Sequence, residues 1–130
     1  MDQGNTMNIK RTAAAALAVA GLSLGMATPA SAAGCQNGYV CLYYNSNLGG
    51  SYFQFDWPIS NLGGYYFTSA GAGQGQYVKN NAASAYNKFT TKYANVYYNS
   101  NFAGPNDYVP PYQWINLVET YNNNASVSIF

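Results

Sequence analysis

The stretch "YYNSNLGG", Tyr43 to Gly50, returns 54 positions later as "YYNSNFAG", Tyr97 to Gly104. The match runs on beyond both copies. The first is followed by "SYFQFDWPISNL", the second by "PNDYVPPYQWINL", and each half then reaches an Asn-Asn-x-x-Ser turn, Asn80 to Ser84 and Asn122 to Ser126. The order is strand, Asn/Gly hairpin, strand, Trp-containing connection, Asn-rich turn, strand, given twice. A solenoid needs three or more repeats. Two copies therefore predict one pseudo-symmetric domain with halves at about 35–90 and 91–130.

Side-chain parity says that the elements are strands. Val40 and Leu42 share one face, Ala94 and Val96 share another, Phe53 and Phe55 alternate with Tyr52 and Gln54, and Val127 and Ile129 alternate with Ser126 and Ser128. Such period-two patterns between turn clusters mark half-buried antiparallel sheet. After residue 33 no 3.6-residue stripe stands out, so helix is limited to about a turn near "WPISNL". Composition agrees: fourteen Tyr and fifteen Asn lie in this part, the first favouring strands and the second turns.

The segment before residue 33 reads as a secretory leader. Lys10 and Arg11 precede the apolar run "TAAAALAVAGLSLGMA", and Ala30-Ser31-Ala32 forms a small-residue cleavage site. The expected leader is 1–32, starting in effect at Met7 and cut after Ala32, because the apolar run is short for a span of ~20 residues. The expected mature chain, 33–130, is a single domain, secreted and monomeric. It balances Lys79, Lys88 and Lys92 against Asp56, Asp107 and Glu119 and contains no His and no Arg. No basic patch exists to hold phosphates, which excludes nucleic acid and anionic membrane as partners.

Catalysis is excluded on similar grounds. Acid–base or nucleophilic chemistry needs His, paired carboxylates or an activated nucleophile. Here the three acids are scattered: Asp56 and Asp107 read as turn residues and Glu119 as an exposed strand position. Export to an oxidising compartment predicts that Cys35 and Cys41 pair, pinning the N-terminus to the first strand. Closing so short a loop contributes roughly 2 kcal/mol.

The hairpins carry aromatic-x4-aromatic-x-Gly in Tyr97, Phe102 and Gly104, with Tyr43, Leu48 and Gly50 in the first copy. A ring folded over the hairpin would require the glycine by sterics. This pattern, followed by the Asn-Asn-x-x-Ser turn, resembles the Greek-key motif of the βγ-crystallins over essentially all of 35–130. The resemblance implies an all-β, double Greek-key sandwich of about eight antiparallel strands. The opening "CQNGYVCL" is similar to that of the small secreted bacterial metalloproteinase inhibitors which share the fold.

The resemblance implies two functional readings. The favoured one is a non-enzymatic inhibitor of a secreted protease, expected to be a metalloprotease, acting through an exposed loop and needing no cofactor. Relatives similar to the type inhibitor brace that loop with a second disulfide, and this chain has no second cysteine pair, so no reactive bond transfers to it. Two segments could serve instead: the Gly-rich insert 63–77 with Tyr66 and Phe67, and the second hairpin with Phe102. An unbraced glycine-rich loop would lose affinity on ordering, which reads the insert as a plain connector and Phe102 as hairpin packing.

The alternative is a structural or surface-binding domain with weak calcium binding. The crystallin turn carries calcium ligands, which would place them at Asn80, Asn81 and Ser84 and at Asn122, Asn123 and Ser126. All are neutral, and calcium affinity falls with carboxylate count; side-chain to backbone bonds that simply turn the chain account for them as well. The pairs Tyr43-Tyr44, Tyr65-Tyr66 and Tyr97-Tyr98 could offer aromatic platforms to a polysaccharide, or sit half-buried with no ligand.

Overall fold

The structure is a computed structural model and describes residues 34–130. The expected leader and its cleavage point lie outside the described residues. Seven strands follow: β1 Val40–Asn45, β2 Gly49–Phe55, β3 Ser84–Asn87, β4 Ala94–Asn99, β5 Ala103–Val109, β6 Trp114–Asn116 and β7 Ser126–Ile129. They form a four-stranded antiparallel sheet, β2-β1-β3-β6, and a three-stranded one, β5-β4-β7. Ile59 exchanges backbone hydrogen bonds with Val127 in both directions and fills the eighth strand place. One 3₁₀ turn, Leu62–Gly64, starts at the last residue of "WPISNL".

The sheets are interlocked. β6 belongs to the second half of the sequence yet completes the first sheet, and Ile59 of the first half joins the second. Between the sheets lies the core expected from parity: Val40, Leu42, Phe53 and Phe55 face Ala94, Val96, Val109 and Val127. Ile129 is only half-buried, whereas Ser126, expected to point outward, is fully buried. Its hydroxyl is held by the second hairpin, as described below.

A second, smaller cluster covers the outer face of the first sheet. The Cys35–Cys41 disulfide, with Cα atoms 6.1 Å apart, lays the N-terminal loop over Tyr43 and Leu48, and Tyr52 and Tyr86 pack against them. The expected pinning of the N-terminus is thus present. Burial pushes the Tyr43 hydroxyl pKa well above its ordinary 10.0, and the neighbouring Tyr52 and Tyr86 add to the shift.

Three local expectations are corrected. Asp107 is a strand residue, not a turn residue: buried in β5, its carboxylate accepts the backbone N–H groups of Val118, Glu119 and Thr120 and the Thr120 hydroxyl at 2.6 Å. Glu119 consequently lies in the turn that Asp107 ties down, not in a strand. The hairpin glycines are required by their left-handed backbone, φ 75° at Gly50 and 85° at Gly104, and not by an overlying ring. A Cβ on Gly104 would meet Asn99 Nδ2 at 2.6 Å. Ring over glycine does occur, but at Gly73 of the insert, where a Cβ would fall 2.2 Å from the Tyr44 ring.

That contact is part of how the insert folds. Ser51 N donates to Ala72 O, Tyr52 N to Ser69 Oγ and Thr68 N to Tyr52 O, so residues 68–72 run along the free edge of β2. Phe67 sinks into the core with its ring edge-on to Tyr44 at 5.6 Å. Expected to be a loose connector, the insert is instead braced by backbone bonds and one buried ring.

Candidate functional site: two hairpins with one backbone and different exposure

The β1–β2 and β4–β5 hairpins repeat each other in detail. Asn47 and Leu48 take left-handed φ of 59° and 57°, and Asn101 and Phe102 take 61° and 59°. For Leu and Phe this region costs roughly 1–2 kcal/mol, because Cβ crowds the carbonyl; Asn tolerates it. Each tip is clasped by a serine from its own half. Ser84 Oγ accepts Leu48 N–H at 3.1 Å and donates to Asn45 O at 2.6 Å. Ser126 Oγ accepts Phe102 N–H at 3.0 Å and donates to Asn99 O at 2.6 Å. The crystallin resemblance offers these serines as weak calcium ligands beside the reading that they simply turn the chain; the structure gives each hydroxyl a hairpin to hold.

The side chains at the tips diverge. Leu48 is fully buried under the disulfide loop, which offsets its strained backbone. Phe102 has no such cover: it is 40 % exposed, with its ring edge-on to Tyr97 at 6.0 Å. Residues 101–106 are all exposed. The tip is nevertheless fixed, by the Ser126 clasp and by Asn101 N donating to Ser60 O at 2.9 Å. Phe102 therefore presents a large apolar side chain at the surface on restrained, left-handed backbone.

Of the other loop candidates, Tyr66 is 45 % exposed and pairs with Tyr77, ring centroids 4.7 Å apart. Its hydrogen bond with Tyr77 raises the Tyr66 pKa above 10.0. Phe67, named beside it, is a core residue and presents nothing to a partner.

The two Asn-Asn-x-x-Ser turns meet at the centre of the pseudo-symmetry. Asn80 N donates to Asn124 O, and Asn122 N donates to Ala82 O. Asn124, which sequence reading passed over, is fully buried there: its Oδ1 accepts Ala82 N–H at 3.1 Å and its Nδ2 donates to Ala82 O and Thr120 O. The only hint was the third Asn of "NNNAS" where the first half has Ala82. Asn81 Nδ2 and Asn123 Nδ2 donate to Tyr77 O and Tyr121 O, closing their own turns.

This donor set does not fit a dication. The hydroxyls of Ser84 and Ser126 are committed, the carbonyls at the centre are taken, and no carboxylate joins them; among the described residues no group of three His, Cys, Asp or Glu side chains gathers anywhere. Beside the first turn a shallow cleft of about 300 Å³, lined by Gly63, Tyr77, Lys79, Asn80 and Asn81, contains the Lys79 side chain. Its ammonium approaches Asn61 Oδ1 at 3.4 Å and repels a cation.

Comparison with known proteins agrees with this anatomy. A βγ-crystallin domain, from work on the evolution of the eye-lens fold, superposes with a TM-score of 0.59 at 14 % identity, over 75 % of this chain and 90 % of that one. The N-terminal domain of Protein S superposes with a TM-score of 0.55 at 20 % identity, over 71 % and 94 %. No curated protein sequence matches the chain. The family model described as Peptidase inhibitor family I36 matches residues 28–109, from before the disulfide to the end of β5, which is more than half of the 130 residues. The chain therefore belongs to Peptidase inhibitor family I36, a non-enzymatic inhibitor built on the βγ-crystallin fold.

Proposed function

We propose that the protein is a secreted inhibitor of an extracellular metalloprotease and that it engages the enzyme with the tip of the β4–β5 hairpin, Phe102 entering an apolar specificity pocket. The observation that carries this reading is the contrast between Leu48 and Phe102: one hairpin backbone, one tip buried and the other presented. Affinity from a single loop depends on how little it must be ordered on binding. Here hydrogen bonds to Ser126 Oγ and Ser60 O restrain the tip before binding. The left-handed backbone at Asn101 and Phe102 also departs from the extended conformation that a protease cleft aligns for cleavage, so the tip docks without lying as a substrate. Thermolysin-like enzymes accept a bulky apolar residue at their main pocket, which favours the metalloprotease class.

The test titrates residues 33–130 against a thermolysin-like and a subtilisin-like protease at fixed calcium. Stoichiometric loss of metalloprotease activity, with Phe102→Ala weakening inhibition roughly 30-fold or more as for a binding hot spot, supports the reading. Loss of inhibition in Tyr66→Ala with Phe102→Ala unaffected moves the contact to the insert. Activity of both proteases at micromolar protein overturns the proposal.

A further inference from the structure

The two sheets expose unequal outer faces. Strand pairing relates Cys41 to Asn95, Tyr43 to Tyr97, Gln54 to Tyr108 and Tyr86 to Ser128. On the first sheet this face is closed by the N-terminal loop, through the disulfide and through Gln36, whose N–H and side chain bond the Gln54 amide at 2.9 and 3.1 Å. On the second sheet no N-terminal loop takes this place; the Phe102 ring packs edge-on against Tyr97 at one end of the face, and the other end is exposed. Tyr93, Tyr108 and Phe130 are 40 %, 48 % and 60 % exposed, with the Tyr93 ring 5.5 Å from Tyr108 and 5.7 Å from Phe130. Tyr93 and Phe130 exchange backbone hydrogen bonds at 2.8 and 3.0 Å, which fixes two of the three rings beyond the strand ends.

We propose that this aromatic face binds a neutral polysaccharide of equatorially linked pyranose rings, of the chitin or cellulose type. The three rings do not include Phe102, the proposed protease contact, although Phe102 adjoins the face through Tyr97. Such a glycan has apolar C–H faces and hydroxyls at its margins, and its successive sugars suit a row of neighbouring rings, inclined 32° and 40° to one another, bordered by neutral hydrogen-bonding groups. The border here consists of Asn95, Tyr97, Asn106 and Ser128 together with the tyrosine hydroxyls, and no charged side chain occupies these positions. A protein partner is set in register largely by a polar and charged rim around an apolar centre. The side chains at these positions supply no such charged rim. Rows of exposed rings on a soluble domain mark interaction sites, and ring-stacking gains do not depend on a particular sequence of sugars.

The experiment incubates residues 33–130 with insoluble chitin and with cellulose and measures the bound fraction across protein concentrations. Tyr108→Ala and Phe130→Ala are compared with Tyr112→Ala, an exposed tyrosine outside this face; melting curves check that each variant folds. Binding by the native protein that weakens about tenfold in Tyr108→Ala and Phe130→Ala and is unchanged in Tyr112→Ala supports the proposal. No binding to either polysaccharide overturns it, as does equal loss in the control. Concentration-dependent dimerisation abolished by Tyr108→Ala also overturns it, by making a second copy the occupant.

Discussion

Asn47 and Asn116 hold each other across the two halves of the chain: Asn47 N donates to Asn116 Oδ1 at 2.7 Å, and Asn116 Nδ2 returns a bond to Asn47 Oδ1 at 3.0 Å. Its counterpart in the pseudo-symmetry is Asn101 N on Ser60 O. Each hairpin tip is thus restrained by the Trp-containing connection of the other half. Asn116→Ala is expected to cost about 1 kcal/mol, the worth of an exposed pair of bonds. Hydrogen exchange should speed up at the β1–β2 tip, far from the substitution in sequence, while the β4–β5 tip keeps its protection.

Ser126→Ala removes both bonds of the second clasp and leaves the part-buried Asn99 carbonyl and Phe102 N–H without their serine partner. The expected loss is about 2 kcal/mol, read from denaturant midpoints at constant slope. Inhibition should fall by more than the stability change explains, because the Phe102 backbone relaxes. Ser84→Ala should destabilise similarly and leave inhibition unchanged.

Asn124→Ala strips three side-chain hydrogen bonds from a fully buried site. A loss of about 2 kcal/mol is expected, since the Ala82 N–H is left buried and unpaired while Ala82 O and Thr120 O keep their backbone donors, Asn122 N and Asn123 N. Asn123→Ala, exposed and bonded only within its own turn, should fall within about 0.5 kcal/mol of the native protein. In the same melts, millimolar calcium should leave the midpoint of the native protein unmoved, in keeping with the neutral and committed donor set.

Tyr43, Tyr66 and Tyr108 all have hydroxyl pKa values raised above 10.0: Tyr43 and Tyr108 chiefly by desolvation, Tyr66 chiefly by its bond with Tyr77. A raised phenol stays protonated longer in the folded state, so its contribution is fully present below the unfolded value and is lost as pH rises through the folded one. Stability should therefore be flat across neutral pH with respect to these groups and decline above pH 10.0. Phenolate absorbance should show Tyr43 titrating well above pH 10.0, and reduction of Cys35–Cys41 should bring its titration earlier by opening the loop that covers it.

Much of this fold was legible because the signals were local and duplicated. Val40, Leu42, Phe53 and Phe55 declared their inward face by parity, and the disulfide followed from two cysteines in a chain expected to be exported. What escaped the sequence depends on long-range pairing. Ser126 read as an outward strand position, but a hairpin 24 residues earlier in sequence takes its hydroxyl. Asp107 read as a turn former because nothing local reveals that Val118 to Thr120 curl around its carboxylate. Phe67 and Phe102 look alike as apolar loop residues; only the path of the insert along β2 decides that one is core and the other surface.

The exchange of β6 and Ile59 between the sheets bears on what happens when a protease does cut. A break in the insert or at the β4–β5 tip would leave two fragments, each still supplying a strand to the other's sheet. They would part only by unfolding both sheets at once, so one cleavage would leave a nicked complex that keeps its shape and its hold on the enzyme.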